Sequence, residues 1–389
     1  MKALKHTQPV LSFVAAVIAV MMISCTDTEA GIFSRVVAET PISDNMTADI
    51  QDATPSFVVR LGTTYFAGIG TLWMKADGDK FWEKATLPTE FNGTVFSGSG
   101  VVVNDAGTDK LFVAFSSSTG SSLGIWSTAD GETWDHVDSA FPDAGYVRTI
   151  LSAYNTVFAV TATSALVDAV LTEYYSIHYY NGTSFVTAGV SDNSEIGMPG
   201  SVAYDGATYW FTAGSNLIKG TPPALAVIAG PSTTDTTSGV CAYGTGVIVS
   251  SRNGYLYQSS DGVTWITSTQ NGSSASDGYS FSVPTYVNDA NLLLVGTNKV
   301  PRSSSDIPDA AGYLQFNLAT DFTAIAISAS DTAISSATNF ASSLADISVN
   351  AMPVFTHLDG KKMVFALTDG DGLWSNTYSG TSWGGWVRE

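Results

Sequence analysis

From Ser56 onward one unit recurs seven times, at intervals of roughly 45 residues. The clearest copy is "SGVCAYGTGVIVSSRNGYLYQSSDGVTWITST", beginning at Ser238. Its four short runs, "GVCAYG", "GVIVSS", "GYLYQSS" and "TWITST", are parted by Gly, Asn-Gly or Asp-Gly, the residues that supply the positive φ of hairpin turns. Other copies open at Ser56, Val101, Val147, Ser201, near Phe281 and at Val349. Four antiparallel strands make one twisted sheet with two faces to cover, so each copy needs a neighbour on either side. The pattern therefore predicts an all-β, seven-bladed β-propeller of four-stranded antiparallel blades over residues 56–389. A β-helix is the competing repeat fold, but its rungs are shorter and lack the four-strand grouping. Composition agrees: charged residues are only 13% and Gly numbers 36, a palette of strands and tight turns. The sixth copy is blurred. Its Ser/Ala/Asp-rich stretch from Ser303 to Ser343 is expected to include long loops, with "NFASSLADI" (Asn339 to Ile347) as a short helix or an insertion loop.

Two Asp-Gly turns match position for position. Ser259-x-Asp261-Gly262-x-Thr264-Trp265 aligns with Thr128-x-Asp130-Gly131-x-Thr133-Trp134. Weaker echoes are "SGTSW" (Ser379 to Trp383), "NGTSF" (Asn181 to Phe185) and "ADGDKFW" (Ala76 to Trp82), the last with one extra residue. An aspartate there can accept hydrogen bonds from the turn amides while the glycine takes a conformation barred to other residues. The hydroxyls can tie the two strand ends together, and the tryptophan can bury its ring between blades. These turns resemble the Asp-box, the Ser-x-Asp-x-Gly-x-Thr-Trp repeat of sialidase-type propellers, in its shortened spacing. The resemblance covers the repeated region, with two crisp copies. It implies that the boxes lie between third and fourth strands, on the face away from the binding mouth, and that their role is in folding.

The same resemblance raises the question of catalysis. Sialidases clamp the substrate carboxylate with three arginines, because guanidinium meets a carboxylate through two parallel hydrogen bonds. Arginines here are Arg35, Arg60, Arg148, Arg252, Arg302 and Arg388. The family's Phe-Arg-Ile-Pro signature is absent; the first copy reads "FVVRLG", with Arg60 displaced. In a propeller, the loops entering first strands share one face with those joining second to third strands. Arg148 opens a first strand, Arg252 ends a second and Arg302 follows another, so these three belong to the mouth face. Asp371 or Glu195 would supply a nearby carboxylate. Arg60 leads into the opposite turn. A cluster of guanidiniums beside carboxylates would favour an enzyme, and a neutral or aromatic mouth a binding protein.

Other chemistries are poorly served. Asp369 and Asp371 in "TDGDGLW" read as a strand-to-strand turn, since Ca²⁺ wants six or more oxygens. His136, His178 and His357 show no metal-ligand spacing, so no metal and no cofactor is expected. Cys241 sits in an apolar strand and reads as a small hydrophobe. "EYYSIHYYNG" (Glu173 to Gly182) is rich in aromatics that alternation assigns to blade packing, with exposed tyrosines open to sugar or protein contact.

The amino-terminal end carries a different signal. Lys2 and Lys5 precede an apolar run from Val10 to Ile23, too short for a comfortable span and suited to a secretory leader. Ser24 and Cys25 follow, and "MISC" resembles a bacterial lipobox in which Cys25 is the lipidated first residue. The expected organisation is a lipoprotein-type signal peptide over residues 1–24, a lipid-anchored tether over 25–55 and the propeller over 56–389. Within the tether, "IFSRVVAE" (Ile32 to Glu39) could pair with a sheet edge. The formal net charge of −19 would repel nucleic acid. The sequence thus predicts an exported protein, lipid-anchored in a bacterial cell envelope, at the outer membrane or cell surface. Its expected function is non-catalytic binding or scaffolding, presenting mouth-face loops to a protein or glycan. The alternatives are a sialidase-like glycoside hydrolase and a membrane-complex assembly factor.

Overall fold

The computed structural model describes residues 53–91, 94–137, 141, 145–167, 170–191, 193, 196–267, 280–298, 312–318, 344, 347–379 and 383–389. The leader, Cys25, Ile32 to Glu39, Glu195, Arg302 and most of Ser303 to Ser343 lie outside these residues. The described chain forms seven antiparallel sheets, here blades 1 to 7. Blade 1 is Phe57–Leu61, Thr64–Ile69, Thr71–Ala76 and Glu83–Lys84, hydrogen-bonded in that order. Blades 2, 3, 4 and 5 repeat the meander over residues 95–136, 146–187, 199–229 and 237–267. Blade 6 has three strands among the described residues, Ser280–Val287, Leu292–Asn298 and Tyr313–Asn317. Its third strand falls inside the stretch expected to hold loops, because Leu314 and Phe316 alternate into the core shared with blade 5. Blade 7 spans residues 349–388, and its inner strand is broken into Val349–Ala351 and Val354–Thr356, where Pro353 cannot donate to the ladder.

Each blade is a two-sided sheet, and alternation sends its side chains to opposite neighbours. In the second strand of blade 2, Leu111, Val113 and Phe115 pack against blade 1, whereas Phe112 and Ala114 pack against blade 3. The same division yields seven apolar cores, one for each pair of adjacent blades. Serine hydroxyls also link neighbouring blades, twice between inner strands and once from the second strand of blade 5 to the inner strand of blade 6. Ile150 N–H donates to Ser99 Oγ (2.8 Å), Val240 N–H to Ser201 Oγ (2.9 Å) and Ser250 Oγ–H to the Ser282 carbonyl (2.7 Å).

Blades 7 and 1 meet like any other pair. Val58, Tyr65, Ala67, Ile69, Trp73 and Trp82 pack on Phe365, Leu367 and Leu373. At the outer end of this seam Glu389 is only 8% exposed. Its carboxylate accepts from Trp82 Nε1 (2.8 Å), pairs with Lys75 and accepts from Ser375 Oγ. At the other end Arg60 donates to Asp77 Oδ2 (2.7 Å) and to the Thr356 carbonyl (2.5 Å), and His357 Nε2 lies 2.8 Å from Asp77 Oδ1. Removing one partner of a buried pair strands the other. Glu389→Ala is therefore expected to lower the unfolding free energy by about 3 kcal/mol. Ile266→Ala, on the exposed outer strand of blade 5, should cost under ~0.5 kcal/mol by the same denaturant titration.

Candidate functional site

The mouth is shaped by a repeated irregularity. In blades 2 to 7 the inner strand carries one more residue than its partner at the mouth end. In blade 2, Ser97 pairs with Phe115 and Ser99 with Ala114, leaving Gly98 over. In blade 3 the extra residue is Arg148, in blade 5 Ser238 and in blade 7 Asn350. Blades 4 and 6 shift register within Pro199–Val202 and Phe281–Pro284. Only blade 1 pairs without a shift. A bulge re-aims the side chains beside it and ends regular pairing. Here the bulged positions line two cavities.

The larger cavity, about 530 Å³, opens over blades 4 to 7 and is lined by Gly200, Ser238, Ser282, Asn298, Asn350 and Arg252 among others. Every other described lining residue is uncharged, leaving Arg252 as the charged one. The smaller, about 370 Å³, lies between blades 2 and 3, with Gly98, Ser116, Gly120, Tyr146 and Arg148 in its wall.

The sequence placed Arg148 and Arg252 on the mouth face, and both are there, lining separate cavities with no residue in common. Arg148 is already engaged: its guanidinium pairs with Glu173 and lies 4.9 Å over the Tyr146 ring. Glu173 also accepts from Tyr146 Oη (3.0 Å) and Tyr175 Oη (2.5 Å). Alternation assigns most aromatics of this segment to packing and leaves exposed tyrosines open to contact, but it gives no role to the carboxylate at the segment's start. The only available signal was Glu173 itself, an isolated charge in an aromatic run. Arg252 is exposed, and its backbone N–H donates to the Thr236 carbonyl (2.9 Å). Asp371 is exposed in the second-to-third-strand turn of blade 7, its amide donating to Thr368 Oγ1 (3.1 Å), and it lines neither cavity. Arg302 and Glu195 lie outside the described residues. Among the described residues no three His, Cys, Asp or Glu side chains are grouped to hold a metal. Burial pushes the Cys241 thiol up to about 12, which keeps it protonated at neutral pH.

Both Asp-Gly turns lie on the opposite face, between the third and fourth strands of blades 2 and 5. Asp130 Oδ1 accepts from the amides of Glu132 (2.8 Å) and Thr133 (2.7 Å) and from Thr128 Oγ1 (2.9 Å). Asp261 Oδ1 does the same with Val263 (2.7 Å), Thr264 (2.7 Å) and Ser259 Oγ (3.0 Å). Each hydroxyl in turn accepts from the glycine amide, at 2.8 Å in both. In blade 3, Asn181 Oδ1 receives the amides of Thr183 and Ser184, each at 3.0 Å. The amides of Thr133 and Glu132 hold the Asp130 carboxyl well below the usual carboxylate range, and those of Thr264 and Val263 do so for Asp261. Gly131 and Gly262 adopt φ of 80° and 81° and sit directly on the preceding blade. A Cβ would come within 2.7 Å of the Phe66 ring and 3.0 Å of Trp210. Trp134 donates to the Thr86 carbonyl (2.9 Å) beside the core shared with blade 1, and Trp265 packs on the core shared with blade 4.

No family model matches the sequence, and no curated protein matches it. Among solved structures, "YCF48 bound to D1 peptide" is 14% identical, with a TM-score of 0.55 over 85% of this chain and 94% of that one. An ancestral GH74 enzyme is 14% identical, with a TM-score of 0.53 over 87% of this chain and 47% of its own, so the present chain spans about half of it. The WD40 β-propeller domain of Doa1 is 11% identical, with a TM-score of 0.50 over 85% and 94%. At these identities the likeness defines the fold: this is a seven-bladed β-propeller. A fold shared by a peptide-bound protein and an enzyme does not choose between them.

Because the folded carboxylate of Asp261 is depressed, its contribution is present above the unfolded value near pH 4 and is lost as pH falls through the folded one. The difference in melting temperature between the parent and Asp261→Asn should be clear at pH 7 and shrink toward pH ~2. Gly262→Ala, forced into a left-handed conformation, should cost about 1–2 kcal/mol at either pH.

Proposed function

We propose that this chain is a non-catalytic binding or scaffold protein that takes a protein or glycan ligand at its mouth, with the Asp-Gly turns acting as Asp-boxes that hold the blades. The supporting observation is the larger cavity, walled mostly by Gly, Ser, Thr and Asn together with Met198, Phe281 and Val283, with Arg252 as its charged group and no carboxylate among the described lining residues. Glycoside hydrolysis ordinarily requires two carboxyl groups flanking the scissile bond. Hydroxyl, amide and backbone groups interleaved with these apolar side chains suit binding of a ligand with both polar and apolar parts, without chemistry. The likeness to a propeller with a bound peptide favours a polypeptide ligand and supports the assembly-factor reading as a second choice. The sialidase-like alternative needs Arg148, Arg252 and Arg302 to share one substrate with Asp371 or Glu195, and the engagement of Arg148 by Glu173 weighs against it.

We further propose export and lipidation at Cys25, anchoring the propeller in a bacterial envelope. With Cys25→Ala, metabolic labelling with a fatty-acid analogue should vanish and the protein should leave the membrane fraction. Unchanged labelling would remove the lipoprotein reading. For the mouth, Ser238→Trp fills the larger cavity from its bulge. Proximity labelling in the native envelope should show partners of the parent chain reduced at least tenfold in this variant, and no fluorogenic sialoside should be hydrolysed by either. Turnover by the parent that Ser238→Trp or Arg252→Ala abolishes would establish the enzyme instead.

A further inference from the structure

Blade 3 departs from its neighbours at one place. Its second and third strands, Thr156–Val167 and Val170–Tyr180, run 12 and 11 residues, where those of blade 4 run five each. The inner strand stops pairing at Tyr146 with Ala162, and the outer strand pairs only His178 to Tyr180. Five rungs, from Thr163–Tyr174 to Val167–Val170, therefore extend beyond the mouth rim as a two-stranded arm. Neither outer edge of these rungs pairs with another strand among the described residues.

In its two outermost described rungs the arm is aliphatic on both faces. Leu166 and Leu171 pair on one and Val167 and Val170 on the other, with exposures of 76%, 67%, 42% and 64%. Open edges are ordinarily blunted by lysine, proline, a bulge or shortness. These rungs contain no Lys, Arg or Pro and no register shift. Their one charge, Glu173, is spent on Arg148 at the base, in the wall of the smaller cavity.

Three kinds of occupant could cover such an arm. A second copy pairing arm to arm would engage about five residues a side, far short of the roughly 20–30 of a stable interface. A bilayer would meet an arm without a single cation, on a chain with a net charge of −19. An extended polypeptide satisfies both the open backbone edge and the aliphatic faces, and the acidic field of the whole chain selects a basic one.

We propose that the blade 3 arm is a docking edge for an extended, basic segment of a partner protein, which adds as a further β-strand along Thr163–Val167 and covers the aliphatic side chains near the tip. This site is separate from the larger cavity, so it stands whether or not that cavity binds anything.

The test is a display library of random short peptides selected on the full chain and counter-selected on Leu166→Lys/Val170→Lys. Both positions are exposed, so the variant should keep the parent's melting temperature; Leu166→Ser/Val170→Ser is the second variant should it not. Selected peptides should alternate β-branched or aromatic residues with Lys or Arg, and bind either variant at least tenfold more weakly. Binding should weaken with salt. N-methylation of alternate peptide amides should cost at least tenfold, and amide exchange of Thr163–Val167 should slow in the complex. The proposal is overturned if no peptide is enriched, if the peptides bind the variants equally, or if N-methylation leaves affinity unchanged. It is equally overturned if the parent forms a dimer that the variants do not, or if the parent alone floats with phosphatidylcholine vesicles and the variants do not.

Discussion

A four-stranded sheet with apolar side chains on both faces cannot stand alone in water. Every blade must be sandwiched, and the only arrangement of such sheets that leaves none bare is a closed ring. The second strand of blade 2 states the constraint in five residues: Leu111, Val113 and Phe115 look back to blade 1, Phe112 and Ala114 forward to blade 3. Burial contributes roughly 1.5–3 kcal/mol per large side chain. The closing seam, with Tyr65, Trp73, Trp82 and Phe365 among its buried members, is thus held by the same kind of apolar core as the other seams. Its polar ends differ. Glu389 gathers Lys75, Trp82 and Ser375, and Asp77 gathers Arg60 and His357. Ion pairs with so little exposure specify which surfaces meet, where apolar packing alone would accept any blade.

Closing the ring brings six bulged inner strands to one rim. Regular pairing would turn every second residue into a seam, as it does in blade 1. One extra residue per strand frees Gly98, Arg148, Ser238 and Asn350 from that alternation. The cores need continuous alternation for their packing, and the mouth needs it interrupted. Placing the interruption at the strand end serves both, since in blades 2 to 6 the inner ladder below the bulge runs without a further shift.

The ring was legible because its signal is physical and repeated: period-two runs, turn glycines and aromatic residues at matched positions. Strand ends were less legible. Blade 2 begins pairing at Val95, six residues ahead of the run that marks it in sequence, because "FSGSG" carries no hydrophobic alternation. Tyr313–Asn317 was obscured by its Ser- and Asp-rich surroundings. The mouth location of Arg148 and Arg252 followed from topology alone. Their separation into two cavities did not, and neither did the pairing of Arg148 with Glu173. Register decides that contact: with Tyr146 opposite Ala162, the inner strand ends at the rung of Tyr175, and Glu173 stands on the second free rung beyond it. A bulge is still harder to foresee, since one additional glycine, serine or asparagine leaves no trace in hydropathy.

The two faces of the ring use their polar groups in opposite ways. On the turn face, Asp130, Asp261 and Asn181 are saturated by amides of their own turns, which leaves them little capacity for a ligand. Asp205, between the inner two strands of blade 4, is filled the same way by Ala207, Thr208 and Trp210. A carboxylate whose ionised form is so satisfied resists protonation, which makes it a poor acid or base near neutral pH. On the mouth face the irregular backbone does the opposite, exposing small polar side chains and one unblunted hairpin. Asp130, Asp261 and Asp205 are thus consumed in folding, whereas the mouth face presents hydroxyls, amides, Arg252 and the edge of blade 3.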